Sequence, residues 1–296
     1  MSDAVRSSLR ALADRARRGD LDPLTGLHGY SPEAAENFRH AAVLALLTPS
    51  APNSATTSAS ENPTAGASAT TATARNRQAA TEAPPGHHPS SADTTNARTA
   101  AYHPTEAPVS PGTVEPVGAE SLEPVGADLF LVQRSPLLRH HPGQIALPGG
   151  GLESSDAGPE AAAVRETEEE TGISPERVEV LGKLPALMLP ISSFVVTPVL
   201  GWAPWIPPVT TVQQDEVLHT LRVPVDSLLE PQMRSTIVHG DHTSPGFRTD
   251  TGWVWGFTGI LLDHLFTQLG WARPWDTSVS YTMSWDEARG AQLLDP

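Results

Sequence analysis

Cysteine is absent from the 296-residue chain. This absence excludes a disulfide scaffold, a thiolate metal site and a cysteine nucleophile. There is also no run of about 18 apolar residues, so a transmembrane helix is not expected, and residues 1–19 lack the apolar core of a secretory signal. Basic residues are few, 19 against 34 acidic ones for a net charge of −15, which argues against a nucleic-acid partner. We expect an acidic, soluble, cytoplasmic protein that binds neither nucleic acid nor membrane.

Large aliphatic residues, Phe and Trp are missing from one long tract. Between positions 49 and 108 there is no Val, Ile, Leu, Met, Phe or Trp, so this stretch cannot bury enough surface to offset the entropy of ordering it. We predict that residues 49–126 form a disordered, low-complexity insertion between two strands of one sheet, which is tolerated because loop-closure entropy grows only slowly with length. About 215 residues remain, enough for one elaborated domain.

The rest of the chain alternates between strand-like and helical patterns. Strands are predicted at 41–47, 127–133, 178–184, 194–200 and 216–225, helices at 4–18 and 159–171, and a strand followed by an amphipathic helix across 252–269. This alternation predicts an α/β fold, an α/β/α sandwich around a mixed sheet. The predicted organisation is an N-terminal helical flank (1–38), a domain formed by 39–48 and 127–275, and a C-terminal tail (276–296). His239 and His242 lie in a stretch whose composition predicts a loop, and we do not interpret them as a metal site.

The predicted helix at 159–171 carries an unusual set of acids. Glu166 lies three residues before Glu169 and four before Glu170, so the three carboxylates share one helix face and repel one another. Such a face is either solvated, as most glutamate-rich helices are, or neutralised by a divalent cation. Oxygen ligands without Cys or His favour Mg²⁺ or Mn²⁺.

Three consecutive glycines precede that helix. Gly149, Gly150 and Gly151 follow Pro148 and allow the backbone to turn tightly, approach a ligand and expose its carbonyl and N–H groups. A glycine triplet alone indicates only a loop. Beside a carboxylate-rich helix, however, an exposed Gly150 carbonyl would complete a site for a metal-bound diphosphate.

Together these segments resemble the Nudix box, Gly-x5-Glu-x7-Arg-Glu-U-x-Glu-Glu-x-Gly-U, in which U is usually aliphatic. The matching residues are Gly151, Arg165, Glu166, Glu169, Glu170, Gly172 and Ile173. Two positions differ. Ala157 stands where the first Glu belongs, with Asp156 one place earlier, and Thr167 replaces an aliphatic residue. A subgroup of the family carries this acid one residue early.

Further motifs resemble the coenzyme A pyrophosphatase branch of that family. Its upstream signature is matched by Arg134-Ser135, Arg139, Gly143 and Leu147-Pro148-Gly149-Gly150, with Leu147 in place of an aromatic residue. Residues 193–199 and 255–261 are also similar to this branch. The resemblance covers about residues 38–48 and 127–275.

The resemblance implies a metal-dependent enzyme that cleaves the diphosphate of coenzyme A or its derivatives to 3′,5′-ADP and (acyl-)4′-phosphopantetheine. It implies that Mg²⁺ or Mn²⁺ is held by Glu166, Glu169, Glu170 and the Gly150 carbonyl, and that Arg165 orients a carboxylate. The expected substrate-binding residues are Arg134, Arg139, Gly143, Gly149, Gly150 and Gly151. Glu216 is the candidate general base, the alternative being an ordinary exposed acid at the start of a strand.

Other functions stay open at this point. The substrate could be another nucleoside diphosphate or triphosphate, such as ADP-ribose. Because Ala157 departs from the motif, a non-catalytic nucleotide or coenzyme A sensor is a second alternative. A third is that residues 49–126 recruit a partner or regulate the protein. A homodimer is also left open.

Overall fold

The computed structural model describes residues 2–22, 24, 28–29, 33, 35–50, 123–190, 192–208 and 215–294. Within these residues there are thirteen strands and five α-helices. The strands are β1 (His28–Gly29), β2 (Arg39–Pro49), β3 (Ala127–Arg134), β4 (Ile145–Ala146), β5 (Gly149–Gly151), β6 (Glu179–Lys183), β7 (Leu187–Leu189), β8 (Phe194–Trp202), β9 (Val217–Pro224), β10 (Arg234–His239), β11 (His242–Thr249), β12 (Gly252–Val254) and β13 (Ser280–Thr282). The helices are α1 (Ser2–Arg18), α2 (Pro159–Thr171), α3 (Val225–Leu228), α4 (Gly256–Gln268) and α5 (Trp285–Ala288). None of these described helices is long and apolar enough to cross a membrane.

A mixed sheet lies at the centre of the fold. Its strand order is β1-β7-β8-β2-β3-β4, with β5 also paired to β2, β6 to β8 and β9 to β3. Strand β2 runs parallel to β8 and antiparallel to β3, where Leu47 lies opposite Leu129. The low-complexity tract therefore joins two adjacent strands of one sheet, as the strand patterns on either side of it predicted. Apart from its two ends, the tract lies outside the described residues.

Both faces of this sheet are covered by helices. Along β2, Ala42, Leu44 and Leu46 share one buried cluster with Ala162 and Ala163 of α2. Ala45 and Leu47 point to the opposite face of the sheet. There they belong to a second buried cluster, which also contains apolar residues of α1 and α4. A strand buried on both faces is apolar almost continuously, which explains the uninterrupted apolar run in the sequence. The predicted α/β/α sandwich is confirmed.

Helix α1 forms part of one outer layer of this sandwich. Val5, Leu9 and Leu12 are buried in the larger cluster. On the solvent side Arg6 binds the Glu179 carboxylate of β6 at 2.7 Å. The folded unit thus includes α1 and extends beyond the predicted domain start at residue 39.

A second sheet of four strands, in the order β12-β11-β10-β13, contains the C-terminal part of the chain. Its strands β10 and β11 form a hairpin in which His239 lies opposite His242. This finding corrects the predicted loop. The His239 ring packs edge-on against Trp255 and Trp285. Strand β13 runs parallel to β10, so residues beyond 275 also pack onto the domain.

The packing of α1 predicts the effect of a single truncation. Replacing the fully buried Leu9 with alanine should lower the free energy of unfolding by about 2–5 kcal/mol, because a cavity forms beneath the helix. Ser7 is exposed on the same helix, and Ser7→Ala should change it by no more than about 0.5 kcal/mol. Urea unfolding followed by circular dichroism measures both. If both substitutions change the free energy of unfolding by the same amount, α1 does not unfold together with the rest of the domain.

Candidate active site

Helix α2 forms where the sequence predicts it. Pro159 occupies its first turn, where a missing N–H is harmless, and Gly172 ends it in a left-handed conformation with φ of 71°. The Gly172 N–H donates to the Glu168 carbonyl at 2.7 Å. These boundary residues fix the 13-residue helix and so determine which of its side chains face the sheet.

Thr167, which replaces an aliphatic residue of the Nudix box, lies on the buried face of α2. Its hydroxyl donates to the Ala163 carbonyl one turn earlier, at 2.7 Å. The buried polar group is therefore satisfied, and this departure from the motif leaves the helix intact.

The three glycines form strand β5, which pairs with β2 so that Gly150 lies opposite Ala42. The space beside Gly150 is filled by the Glu166 carboxylate, since a Cβ atom at Gly150 would lie only 2.4–2.5 Å from it. At Gly149, where φ is 152°, a Cβ would lie 2.2 Å from the Ala42 carbonyl oxygen. Gly150 thus allows the Glu166 carboxylate to pack directly against β5, and Gly149 allows β5 to approach the backbone of β2.

Glu170 is the most deeply buried acid of the group, with 3% of its surface exposed. Its carboxylate accepts a hydrogen bond of 3.0 Å from the Gly149 N–H. Burial raises the pKa of Glu170 to about 7, and the neighbouring charges of Glu166 and Glu216 add to this effect. Burial also raises the pKa of Glu166. The site therefore holds two carboxylates that burial makes harder to ionise.

Arg165 connects the strand, the loop and the helix. Its Nε and Nη2 each donate to the Asp156 carboxylate at 3.1 Å, and Nη2 also donates to the Gly151 carbonyl at 3.0 Å. Its Nη1 binds Glu166 at 3.0 Å and Glu169 at 3.2 Å. Asp156 therefore supplies a carboxylate partner for Arg165, although it stands one position before the motif's first acid.

Two further groups approach the buried carboxylates from other elements. Arg134 ends β3, and its charge lowers the pKa of Glu170, although less than burial raises it. Its Nε is buried without a hydrogen-bond partner among the described residues. Glu216 is exposed, and its backbone carbonyl accepts from the Ser135 N–H at 2.8 Å. Its charge raises the pKa values of both Glu166 and Glu170, which burial raises most.

Two other predicted site residues lie between β3 and β4. Arg139 is exposed and forms no ion pair with any side chain that the structure describes. Gly143 packs against Gly290 near the C-terminus. Sequence analysis did not identify Gly290, because a single glycine in a predicted tail forms no pattern.

The donor groups suit a hard divalent cation. They are carboxylates and backbone carbonyls, the oxygen ligands that Mg²⁺ and Mn²⁺ prefer. Added positive charge would favour the ionised forms of Glu166 and Glu170, whose pKa values are raised mainly by burial and further by the neighbouring acids. In the described part of the chain, however, no three His, Asp or Glu side chains are arranged as a ready-made metal cluster. Glu166 and Glu169 instead contact Arg165.

The Asp156–Arg165 pair predicts a pH-dependent contribution to stability. The hydrogen bond from Arg165 lowers the pKa of Asp156, so its stabilising effect is complete above the unfolded pKa of about 3.9 and is lost as the pH falls through the lower folded value. Asp156→Asn should therefore destabilise the protein equally at pH 7 and pH 6, and progressively less below about pH 5. Urea unfolding at each pH measures the difference from the unmodified protein.

Glu153 provides the control for this prediction, since it approaches Arg165 only at 4.0 Å and is largely exposed. Glu153→Gln should have little effect at any pH. If the loss caused by Asp156→Asn does not depend on pH, the pair does not contribute through its charge.

Comparison with known proteins agrees with this geometry. The family model described as the NUDIX domain matches residues 119–240. The protein named uncharacterized Nudix hydrolase NudL from Klebsiella pneumoniae is 41% identical over 157 residues, which cover 49% of this chain and 77% of that protein. The Citrobacter koseri protein of the same name is 39% identical over 152 residues, covering 48% and 75%.

A solved structure, the NUDIX domain of Shewanella oneidensis NrtR complexed with ADP ribose, is 15% identical, with a TM-score of 0.32, and the match covers 66% of this chain and 79% of that one. The family match and the NudL relatives, together with the carboxylate helix packed on its glycine strand, lead to one conclusion. The chain belongs to the Nudix hydrolase family of pyrophosphohydrolases, which generally use divalent metal ions.

Proposed function

We propose that this Nudix hydrolase cleaves the diphosphate of coenzyme A or its derivatives, releasing 3′,5′-ADP and (acyl-)4′-phosphopantetheine. The observation that carries the proposal is the position of Arg134, which ends β3 with its charge close to the buried carboxylate of Glu170. The loop that follows β3 carries Arg139. This supports the proposal that the acids assigned to metal binding act together with a segment whose residues resemble the coenzyme A signature.

The acidic residues of α2 form the metal-binding part of this proposal. Glu166, Glu169 and Glu170, with the Gly150 carbonyl, would hold Mg²⁺ or Mn²⁺. When bound, such an ion neutralises the diphosphate and lowers the pKa of a coordinated water. The hydrogen bond from the Gly149 N–H to Glu170 keeps that carboxylate in place. Arg165 orients Glu166 and Glu169 and is itself oriented by Asp156.

The arginines form the substrate-binding part. A guanidinium group donates two parallel hydrogen bonds and so matches the geometry of a phosphate. Arg134, whose buried Nε has no partner among the described residues, would bind the diphosphate near the carboxylates. Arg139, exposed on the following loop, would bind the 3′-phosphate that distinguishes coenzyme A from simpler nucleotide diphosphates. Both positive charges lie in a protein whose net charge is −15.

Glu216 is the proposed general base. Its exposure leaves the carboxylate accessible to a water molecule, whereas Glu170 is buried and already accepts the Gly149 N–H. The influence of Glu216 on the pKa values of Glu166 and Glu170, although smaller than that of burial, supports its closeness to the reacting groups. In this role it would take a proton from the attacking water. The cytoplasmic location and the homodimer stay predictions.

A charge-removing substitution on α2 tests catalysis itself. Glu170→Gln should lower kcat for the preferred substrate by at least about 10²-fold, because a proposed metal ligand is lost while the side chain keeps its size. Steady-state kinetics with saturating Mg²⁺ or Mn²⁺ measures the loss, and circular dichroism checks the fold.

Glu168 is the matched control, since it lies on the same helix but is exposed. Glu168→Gln should leave kcat within about twofold of the unmodified value. If Glu170→Gln is as active as Glu168→Gln, the Glu170 carboxylate does not take part in catalysis. If the unmodified protein cleaves no nucleotide, a role as a non-catalytic sensor gains support.

A substrate comparison tests the choice of coenzyme A. With Mg²⁺, kcat/KM for coenzyme A should exceed kcat/KM for ADP-ribose and for deoxynucleoside triphosphates. The products are separated and quantified by chromatography. Arg139→Gln should reduce the preference for coenzyme A over dephospho-coenzyme A by about tenfold or more, as expected for one lost charged hydrogen bond.

Arg18→Gln, which removes an exposed arginine of α1, is the control and should leave that preference unchanged. Turnover of ADP-ribose well above that of coenzyme A would reject the proposed substrate. An unchanged preference in Arg139→Gln would remove Arg139 from the substrate site.

A further inference from the structure

The loop between β3 and β4 (residues 135–144, the β3–β4 loop) rests on a distant part of the chain. Its Gly143 lies directly against Gly290, which belongs to the C-terminal segment defined by residues 283–294. A Cβ atom at Gly143 would lie 2.5 Å from the Gly290 Cα, and one at Gly290 would lie 2.8 Å from the Gly143 Cα. Real Cβ atoms do not approach other atoms so closely, so the contact is one of backbone on backbone.

Both glycines also have left-handed backbones, with φ of 69° at Gly143 and 67° at Gly290. The side chain of Leu293 closes the contact, since its Cδ1 lies 3.1 Å from the position of a Gly143 Cβ. The contact therefore depends on two glycines of matching conformation and on one apolar side chain that covers them.

The C-terminal segment is itself firmly attached to the domain. Met283 is buried, and its N–H donates to the Val238 carbonyl of β10 at 2.8 Å. The Tyr281 hydroxyl donates to the Glu287 carboxylate at 2.7 Å. The Gly290 N–H donates to the Glu287 carbonyl at 2.9 Å. Gly290 is thus a fixed support rather than part of a loose tail.

The other side of the contact leads to the carboxylates. The Gly143 carbonyl accepts from Gln133 Nε2 at 3.3 Å, and the base of the loop is closed by the Arg134 N–H, which donates to the Gln144 carbonyl at 2.9 Å. A shift of Gly143 would therefore reach Gln133 and Arg134 at the end of β3. The charge of Arg134 acts on the Glu170 carboxylate and lowers its pKa, although less than burial raises it.

We propose that Gly290 is a positioning residue, which holds the β3–β4 loop through Gly143 and thereby sets the affinity for substrate. This inference rests on the proposed function, because that function assigns the arginines at and within the loop to substrate binding. Gly290 itself touches no reacting group. It acts by fixing the positions of Arg134 and Arg139 in the protein without bound substrate.

The test replaces Gly290 with alanine in the full chain. The added Cβ must push Gly143 away, so the KM for coenzyme A should rise about tenfold while kcat stays within about twofold, the pattern expected when binding is lost without loss of the chemical step. Amide hydrogen exchange across residues 135–144 should become faster, while exchange across α2 stays unchanged.

Gly270→Ala is the matched control. Gly270 has the same left-handed backbone, with φ of 72°, but a Cβ there would have no neighbour within 4 Å. It therefore reproduces the backbone strain of alanine at this conformation without the displacement. Its KM and its exchange in the β3–β4 loop should match those of the unmodified protein.

The possible outcomes separate the two proposals. If the unmodified protein does not cleave coenzyme A, the proposed substrate fails, and the KM comparison is made with the nucleotide that it does cleave. Exchange or KM values in Gly290→Ala equal to those of Gly270→Ala would overturn the positioning role. Should Gly290→Ala not fold, Leu293→Ala is compared with Leu294→Ala, which truncates an exposed neighbour, and the same two measurements decide.

Discussion

The hydrogen bonds of a single guanidinium group, that of Arg165, fix the geometry on which the site depends. They join three parts of the chain: Asp156 in the loop before α2, the Gly151 carbonyl of β5, and the acids Glu166 and Glu169 of the helix. Because the donors of a guanidinium form a rigid planar fork, these contacts set the position of the helix relative to the strand. They also place one positive charge among acids that would otherwise repel one another.

The site keeps negative charge where folding alone would not favour it. Burial raises the pKa of Glu170 to about 7, so ionising this group inside the fold costs free energy. The structure bears this cost because apolar packing of α2 on β2 holds the helix in place. In addition, Gly150 leaves room for the Glu166 carboxylate, and the Gly149 N–H donates to Glu170. Perturbed acids of this kind are concentrated at functional sites, and here the family membership agrees with that expectation.

The sequence predicted those features that depend on local patterns. Strand β2 is predicted by its continuous apolar run, and helix α2 by residues of high helix propensity between clear start and stop residues. The β10–β11 hairpin was missed because Pro245 and Gly246 resemble a turn, yet Gly246 leaves space for Ile237, whose Cγ1 would lie 2.4 Å from a Cβ there. In the site, too, the sequence predicted only what depends on local patterns. The acids of one helix face were predicted together, whereas the nearness of Arg134 to Glu170 depends on long-range pairing.

The topology also explains how the fold accepts a long tract between β2 and β3. The tract leaves β2 after Pro49 and enters β3 at Ala127. Arg134 stands at the other end of β3. The seven residue steps from Ala127 to Arg134 span about 23 Å of extended chain. The junction is closed by the Ser50 N–H, which donates to the Gly126 carbonyl at 3.0 Å, and by Asp128, which binds Arg222 at 2.7 Å. Since these contacts fix both ends of the tract, its length need not alter the strands that carry the site.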